Sequence, residues 1–72
     1  MAFSKSRHLL TTLRQTSAAL EKEWGVLPLI VLSCMGGEDE HWQFFDPRDV
    51  ELDAEPMPYC IVTKDGTREF HP

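Results

Sequence analysis

The longest apolar run in the chain covers residues 26–35, VLPLIVLSCM in one-letter code. It is too short to span a bilayer, which needs about 20 apolar residues. The β-branched residues within the run and the Gly36-Gly37 pair after it favour a strand over a helix. A strand that is apolar on both faces is typically central in its sheet, so we expect Leu29 and Val31 to be among the most buried residues.

An amphipathic helix is predicted over residues 6–24, after a loose N-terminal end at residues 1–5. Gly25 is suited to end this helix, because glycine adopts the left-handed conformation without a Cβ clash. The apolar residues of this helix form one stripe along it. In a monomer this stripe covers the sheet. In the alternative, a wider stripe that includes Leu9 pairs with the same stripe of a second copy. The stripe residues recur at spacings of three and four: Leu10, Leu13, Ser17, Leu20 and Trp24.

Three more strands are predicted downstream of the apolar run, at residues 41–45, 59–63 and 68–71. Asp65-Gly66 is a strong signal for a two-residue hairpin loop, which sets Ile61 opposite Phe70. Prolines between residues 46 and 58 indicate a loop with one turn of helix near residues 49–52. We therefore expect a single α+β domain, with one N-terminal amphipathic helix packed on a small, three- to four-stranded, mainly antiparallel sheet.

Charge is distributed unevenly along the chain, whose formal net charge is −5. The segment 38–55 holds eight acidic residues and the single base Arg48, which gives this segment a net charge of −7. Direct binding to nucleic acid is disfavoured, because affinity for phosphates comes from Lys and Arg. A protein with a basic, nucleic-acid-binding surface would instead be attracted to this segment.

The acidic segment and the aromatic residues beside it are therefore the predicted partner-binding surface. Carboxylates steer a basic partner, and exposed aromatic side chains serve as anchors in interfaces. In the competing interpretation the acids only keep two loops solvated and the aromatic residues belong to the core. The predicted partner-binding residues are Glu38, Asp39, Glu40, Trp42, Phe45, Asp49, Glu51, Asp53 and Glu55.

The sequence shows no pattern of catalytic or metal-binding residues. Structural zinc sites usually contain a local pair such as CxxC, and the candidate ligands lack one. A Cys–His nucleophile is disfavoured because a catalytic cysteine needs a partly exposed, electropositive setting. We predict a protein that is not an enzyme, has no cofactor or metal, and keeps two reduced cysteines rather than a disulfide. The candidate ligands are Cys34, Cys60, His8, His41 and His71.

The N-terminal region has no continuous apolar stretch like that of a secretory signal, because Arg7 and Arg14 interrupt it. A cytoplasmic, reducing location without membrane attachment is therefore expected. The same region is free of acids and contains serines, which also fits part of the description of a mitochondrial transit peptide. The sequence leaves that alternative open.

Within residues 18–34, residues 18–24 read AALEKEW and residues 27–33 read LPLIVLS, and they lead into an acidic glycine turn at residues 36–40 and an aromatic strand. This pattern resembles small uncharacterised accessory proteins of bacteriophages. The resemblance implies a viral accessory role, such as the inhibition of a host defence protein or a host enzyme. It supplies no site residues.

Two functions follow from these observations. The first is a small acidic protein-binding accessory protein, a phage-encoded inhibitor that occupies a basic surface of a host protein. The alternative is a non-catalytic structural or regulatory subunit that acts as a homodimer or within a larger complex.

Overall fold

The computed structural model describes residues 2–52 and 54–70 of the chain. Neighbouring strands are all antiparallel, in the order β1-β2-β3-β4. The predicted α+β fold, a helix with a small antiparallel sheet, is confirmed. The elements are α1 (Ala2–Trp24), β1 (Leu29–Ser33), β2 (His41–Phe45), α2 (Pro47–Leu52), β3 (Cys60–Thr63) and β4 (Arg68–Phe70).

Helix α1 is longer than predicted at its N-terminal end. Residues 2–5, which were expected to be loose, belong to the helix, because neither Pro nor Gly precedes Gly25 to interrupt it. The helix ends as predicted. Gly25 has a φ of 77°, and its N–H donates to the Glu21 carbonyl at 2.8 Å.

The core lies between α1 and the middle of the sheet. Phe44 pairs with Cys60 and Trp42 with Val62, so these residues share the sheet face that α1 covers. Leu10 of the predicted stripe is exposed, and the stripe passes through Leu9 instead. The buried apolar residues are Leu20, Phe44, Cys60 and Val62, with Leu9, Leu13, Trp24 and Trp42 packed against them.

Strand β1 lies at an edge of the sheet, and the prediction of a central strand is wrong. Leu29 is 44% exposed and Val31 46% exposed. Each strand pairs with the next one along the chain, so the first strand has a single neighbour. A helix about 10 Å across covers about two strands, and α1 packs on β3. The helix therefore does not extend over β1.

Strand β1 is also shorter than the predicted strand at residues 26–35. Pro28 has no N–H to donate to the ladder, so the strand starts after it. Cys34 has a φ of 57°, which takes the chain out of the extended conformation. The strand is thereby limited to Leu29–Ser33.

The other predicted elements agree closely with the structure. The strand predicted at residues 41–45 is β2, and the helical turn expected near residues 49–52 is part of α2. The strand predicted at residues 59–63 starts one residue later, at Cys60. The last strand runs to Phe70, and His71 lies outside the described residues.

The β3–β4 hairpin is shifted by one residue from the predicted register. Its loop has three residues, 64–66, and is closed by the Thr63 N–H, which donates to the Thr67 carbonyl at 2.9 Å. Gly66 has a φ of 89° at the last loop position, as is typical of three-residue hairpin loops. Ile61 therefore lies opposite Glu69, and Phe70 lies opposite Cys60 on the face that α1 covers.

Replacing Gly66 by Ala tests the contact between this loop and α1. A Cβ at Gly66 would overlap the His8 ring, whose Nε2 would be 2.8 Å away, in addition to the strain at positive φ. We expect Gly66→Ala to lower the free energy of unfolding by about 2 kcal/mol and the melting temperature by about 10 °C.

Gly36→Ala is the matched control, because Gly36 has a similar φ of 83° and no atom within 4 Å of the added Cβ. Backbone strain at positive φ should by itself lower the free energy of unfolding of this variant by about 1 kcal/mol. Adding His8→Ala to Gly66→Ala removes the overlapping ring, so the double variant should lose only about as much stability as Gly36→Ala. Equal losses in the two glycine variants, measured by chemical denaturation, would contradict the contact between the loop and His8.

Thr16 of α1 is buried, and its hydroxyl has no hydrogen-bond partner among the described residues. Thr16→Val replaces that hydroxyl with a methyl group of the same shape, so we expect it to raise the free energy of unfolding by about 1 kcal/mol. Exposed Thr11 on the same helix supplies the control, since Thr11→Val reports only the change in helix propensity. A loss of stability in Thr16→Val alone would show that the hydroxyl is satisfied in solution.

Candidate functional site

The turn between β1 and β2 is held by its own main-chain and side-chain hydrogen bonds. The Gly37 N–H donates to the Cys34 carbonyl at 3.0 Å, and the Gly36 N–H donates to a Glu40 carboxylate oxygen at 2.9 Å. His41 Nδ1 lies 2.7 Å from the Asp39 carbonyl oxygen, which accepts a hydrogen bond in the tautomer that carries a proton on Nδ1. These bonds fix the acidic turn at one end of the sheet.

The β3–β4 loop lies beside this turn and is organised around a carboxylate. Asp65 accepts hydrogen bonds from the Thr63 hydroxyl and from the Thr67 N–H. These bonds hold the pKa of Asp65 below its usual value, with the Thr63 hydroxyl contributing most. Lys64 joins the two turns, because its Nζ donates to the Gly37 carbonyl at 3.3 Å.

An open cleft of about 370 Å³ lies between the two turns, and we call it the acidic cleft. Its floor contains Ile61 and Thr63, which alternation along β3 places on the face away from α1. Five carboxylates surround a single ammonium group. The lining residues are Glu38, Asp39, Glu40, His41, Ile61, Thr63, Lys64, Asp65 and Glu69.

The five carboxylates of the acidic cleft differ in how they are engaged. Glu40 and Asp65 accept hydrogen bonds within their own turns. The carboxylates of Glu38, Asp39 and Glu69 make no hydrogen bond or ion pair with any residue that the structure describes. These three side chains are exposed and are therefore available to a partner's cationic groups.

The rest of the predicted acidic surface lies at the opposite end of β2. Asp46 caps α2, because its carboxylate accepts the Arg48 N–H at 2.9 Å and pairs with the Arg48 guanidinium at 2.7 Å. This contact lowers the pKa of Asp46 and raises that of Arg48. Asp49 and Glu51 are exposed on α2.

Two more residues of the predicted surface follow α2. Glu55 is exposed, and Asp53 lies outside the described residues. The five residues of β2 separate this region from the acidic cleft by about 15 Å. The predicted surface is therefore divided between the two ends of the sheet.

The predicted aromatic anchors do not line the acidic cleft. Trp42 is partly buried and packs against the core under α1. Phe45 is partly buried on the opposite sheet face, at the end of β2 that leads into α2. A partner in the acidic cleft would therefore meet carboxylates and the Ile61 side chain rather than these rings.

Asp65 and Glu69 belong to the acidic cleft and were missed by sequence reasoning, which treated them only as parts of a hairpin. The pairing of His41 with Thr63 brings the two turns side by side. A signal was available in the sequence. In a meander of four short strands, the first and third turns meet at the same end of the sheet, so acids at residues 38–40 and 65 would be neighbours.

The described residues include no group of three His, Cys, Asp or Glu side chains arranged to hold a metal ion. Cys34 and Cys60 are free thiols. Cys34 follows Ser33, which pairs with His41, whereas Cys60 pairs with Phe44, three residues further along β2. The two cysteines are therefore about 10 Å apart along the strand direction alone. A disulfide between them does not fit this fold.

None of the helices in the described ranges combines the length and the apolar character needed to cross a membrane. In comparisons with known proteins, no family model, curated protein or solved structure matches the chain.

The two thiols should differ in reactivity. Cys60 is buried, and this burial raises the pKa of its thiol, so little thiolate forms near neutral pH. Cys34 is exposed. We expect a thiol reagent such as dithionitrobenzoate to label Cys34 quickly and Cys60 only after unfolding. Cys34→Ser is the control, and its folded form should release no thionitrobenzoate. Rapid release of two equivalents of thionitrobenzoate from the folded, unmodified protein would contradict the core position of Cys60.

Proposed function

We propose that this chain is a small acidic protein-binding accessory protein, and that its acidic cleft receives basic side chains of a partner protein. The observation that carries the proposal is the set of three unengaged carboxylates, Glu38, Asp39 and Glu69, around one cleft. Their attraction for a basic surface speeds association and favours basic partners over acidic ones.

The chemistry of the acidic cleft suits an arginine or lysine side chain. The aliphatic stem of such a residue can lie on Ile61, while its charged end reaches the carboxylates at the rim. Arginine is the better fit because its planar guanidinium binds carboxylates through two parallel hydrogen bonds. Lys64 is already engaged by the Gly37 carbonyl and leaves the rim acids available.

The biological role that we propose is inhibition. Basic surfaces on proteins commonly serve to bind nucleic acid, and an acidic protein seated on such a surface would block it. The resemblance to bacteriophage accessory proteins supports a host defence protein or host enzyme as the target. The phage origin, the target class and a cytoplasmic location are all parts of this proposal.

A titration with a defined basic peptide tests the acidic cleft. A blocked tetra-arginine peptide should shift the amide resonances of Ile61, Thr63 and Glu69 in the folded protein, whereas the neutral tetra-citrulline peptide should not. We expect the variant Glu38→Gln/Asp39→Asn/Glu69→Gln to weaken peptide binding at low salt by about tenfold. Its melting temperature should stay near that of the unmodified chain, because these carboxylates are exposed.

The matched control is Glu23→Gln/Asp49→Asn/Glu51→Gln, which removes three exposed carboxylates outside the acidic cleft. It should bind the peptide nearly as well as the unmodified chain. If both triple variants lose the same affinity, binding reflects net charge and the acidic cleft is not the site. If neither loses affinity, the acids are only a solvated surface, and the proposed function fails.

A further inference from the structure

Strand β1 is an open edge of the sheet without the features that usually protect such an edge. Leu29–Leu32 are apolar, each is between 39 and 46% exposed, and no residue of β1 is charged. The other edge, β4, has only three residues, of which Arg68 and Glu69 are charged. Natural sheets protect open edges with short strands and charges, so β4 is protected and β1 is a ready template for strand pairing.

The direction of the main-chain groups shows which residues of β1 are available for pairing. The Tyr59 N–H donates to the Phe44 carbonyl at 2.8 Å, so the main-chain groups of Phe44 point towards β3. Directions alternate along a strand, so those of Gln43 point towards its β1 partner Val31. The N–H and C=O groups of Ile30 and Leu32 therefore point outwards, away from the sheet.

The exposed area is larger than that of a compact monomer. The chain exposes 5373 Å², whereas a compact monomer of its mass, 8.3 kDa, exposes about 4,600 Å². The excess of roughly 800 Å² equals the area that one partner buries in an interface of standard size. Val26, Leu27 and Met35 extend the exposed apolar surface at both ends of β1.

We propose that β1 pairs with β1 of a second copy of this chain, antiparallel about a two-fold axis, to form an eight-stranded sheet. In this register Ile30 lies opposite Leu32 of the second copy, and the two Val31 side chains face each other. The outward N–H and C=O groups then form four hydrogen bonds across the axis. On each face of the joined sheet, the apolar side chains of one β1 then lie beside those of the other.

Neighbouring registers fail for reasons that are visible in this chain. Moving the axis to Ile30 sets Leu32 against Pro28, which has no N–H to donate. Moving the axis to Leu32 sets Ile30 against Cys34, whose φ of 57° has left the extended conformation. An axis between two residues, such as one that sets Ile30 opposite Val31 of the second copy, would pair an outward-facing residue with an inward-facing one. The axis at Val31 is the register that satisfies the outward groups.

The dimer goes beyond the proposed function and does not depend on it. The acidic cleft is lined by the 38–41 turn, β3, β4 and their loop, and by no residue of β1. Antiparallel pairing of the two β1 strands places the two acidic clefts at opposite ends of the joined sheet. Both clefts therefore stay open in the dimer, and either proposal can fail without the other.

Charge variants at Val31 test the pairing in the full chain. Sedimentation velocity of the unmodified chain at micromolar concentration should give twice 8.3 kDa. Val31→Lys and Val31→Glu should each raise the dimer dissociation constant at least about tenfold, because they set like charges directly opposite each other. An equimolar mixture of the two variants should regain the dimer, which also shows that both are folded. Leu52→Lys, at an exposed apolar residue outside β1, should remain dimeric.

Amide hydrogen exchange gives the second readout. The Ile30 and Leu32 amides should become protected as protein concentration rises, whereas the Val31 amide, bonded within the sheet, should be protected at every concentration. A monomer at all concentrations, a dimer that Val31→Lys leaves intact, or larger open-ended assemblies would each overturn the proposal. So would a dimer in which the Ile30 and Leu32 amides exchange freely, since its contact would lie elsewhere, such as on the α1 stripe.

Discussion

The packing of α1 across β3 is the contact on which the rest of the structure depends. Cys60 and Val62 of β3 are fully buried under the helix, together with Phe44 of β2. A chain of 72 residues has one long helix to contribute, and that helix is wide enough for about two strands. One sheet face and one edge are thereby left without cover.

The uncovered parts of the sheet have different chemistry because of where they lie. On the face away from α1, two turns meet at one end of the sheet and form the acidic cleft. At the β1 edge, an apolar strand has only one neighbour. A domain of this size buries only about 60% of the surface that its unfolded chain exposes, so pairing with another molecule is a common source of further stability.

The acidic residues differ in whether their carboxylates form hydrogen bonds or ion pairs within the fold. Asp46 caps α2 and pairs with Arg48, and Asp65 closes the β3–β4 loop. In both residues the hydrogen bonds lower the carboxyl pKa, so these groups are committed to local structure. Glu38 and Asp39 have no such partner among the described residues, and their carboxylates are exposed to solvent.

The sequence by itself determined the elements, because their signals are local. The stripe of α1, the glycine that ends it, the aromatic alternation of β2 and the turn of helix at α2 all depend on neighbours within a few residues. The acids at residues 38–40 were also recognised correctly as part of a turn, in which Glu38 and Asp39 are exposed. Two of the five carboxylates of the acidic cleft, Asp65 and Glu69, were missed, because strand pairing brings them beside the acidic turn.

Tertiary structure alone decided which strand is central and which residues face each other. The apolar run from residue 26 suggested a covered strand, but burial depends on where α1 packs, and α1 packs on β3. The loop before β4 is one residue longer than its sequence suggested, and that single residue moves Phe70 to the opposite face. Hydrophobic patterning fixes the type of an element, whereas sheet order and register are set by long-range contacts that no local window contains.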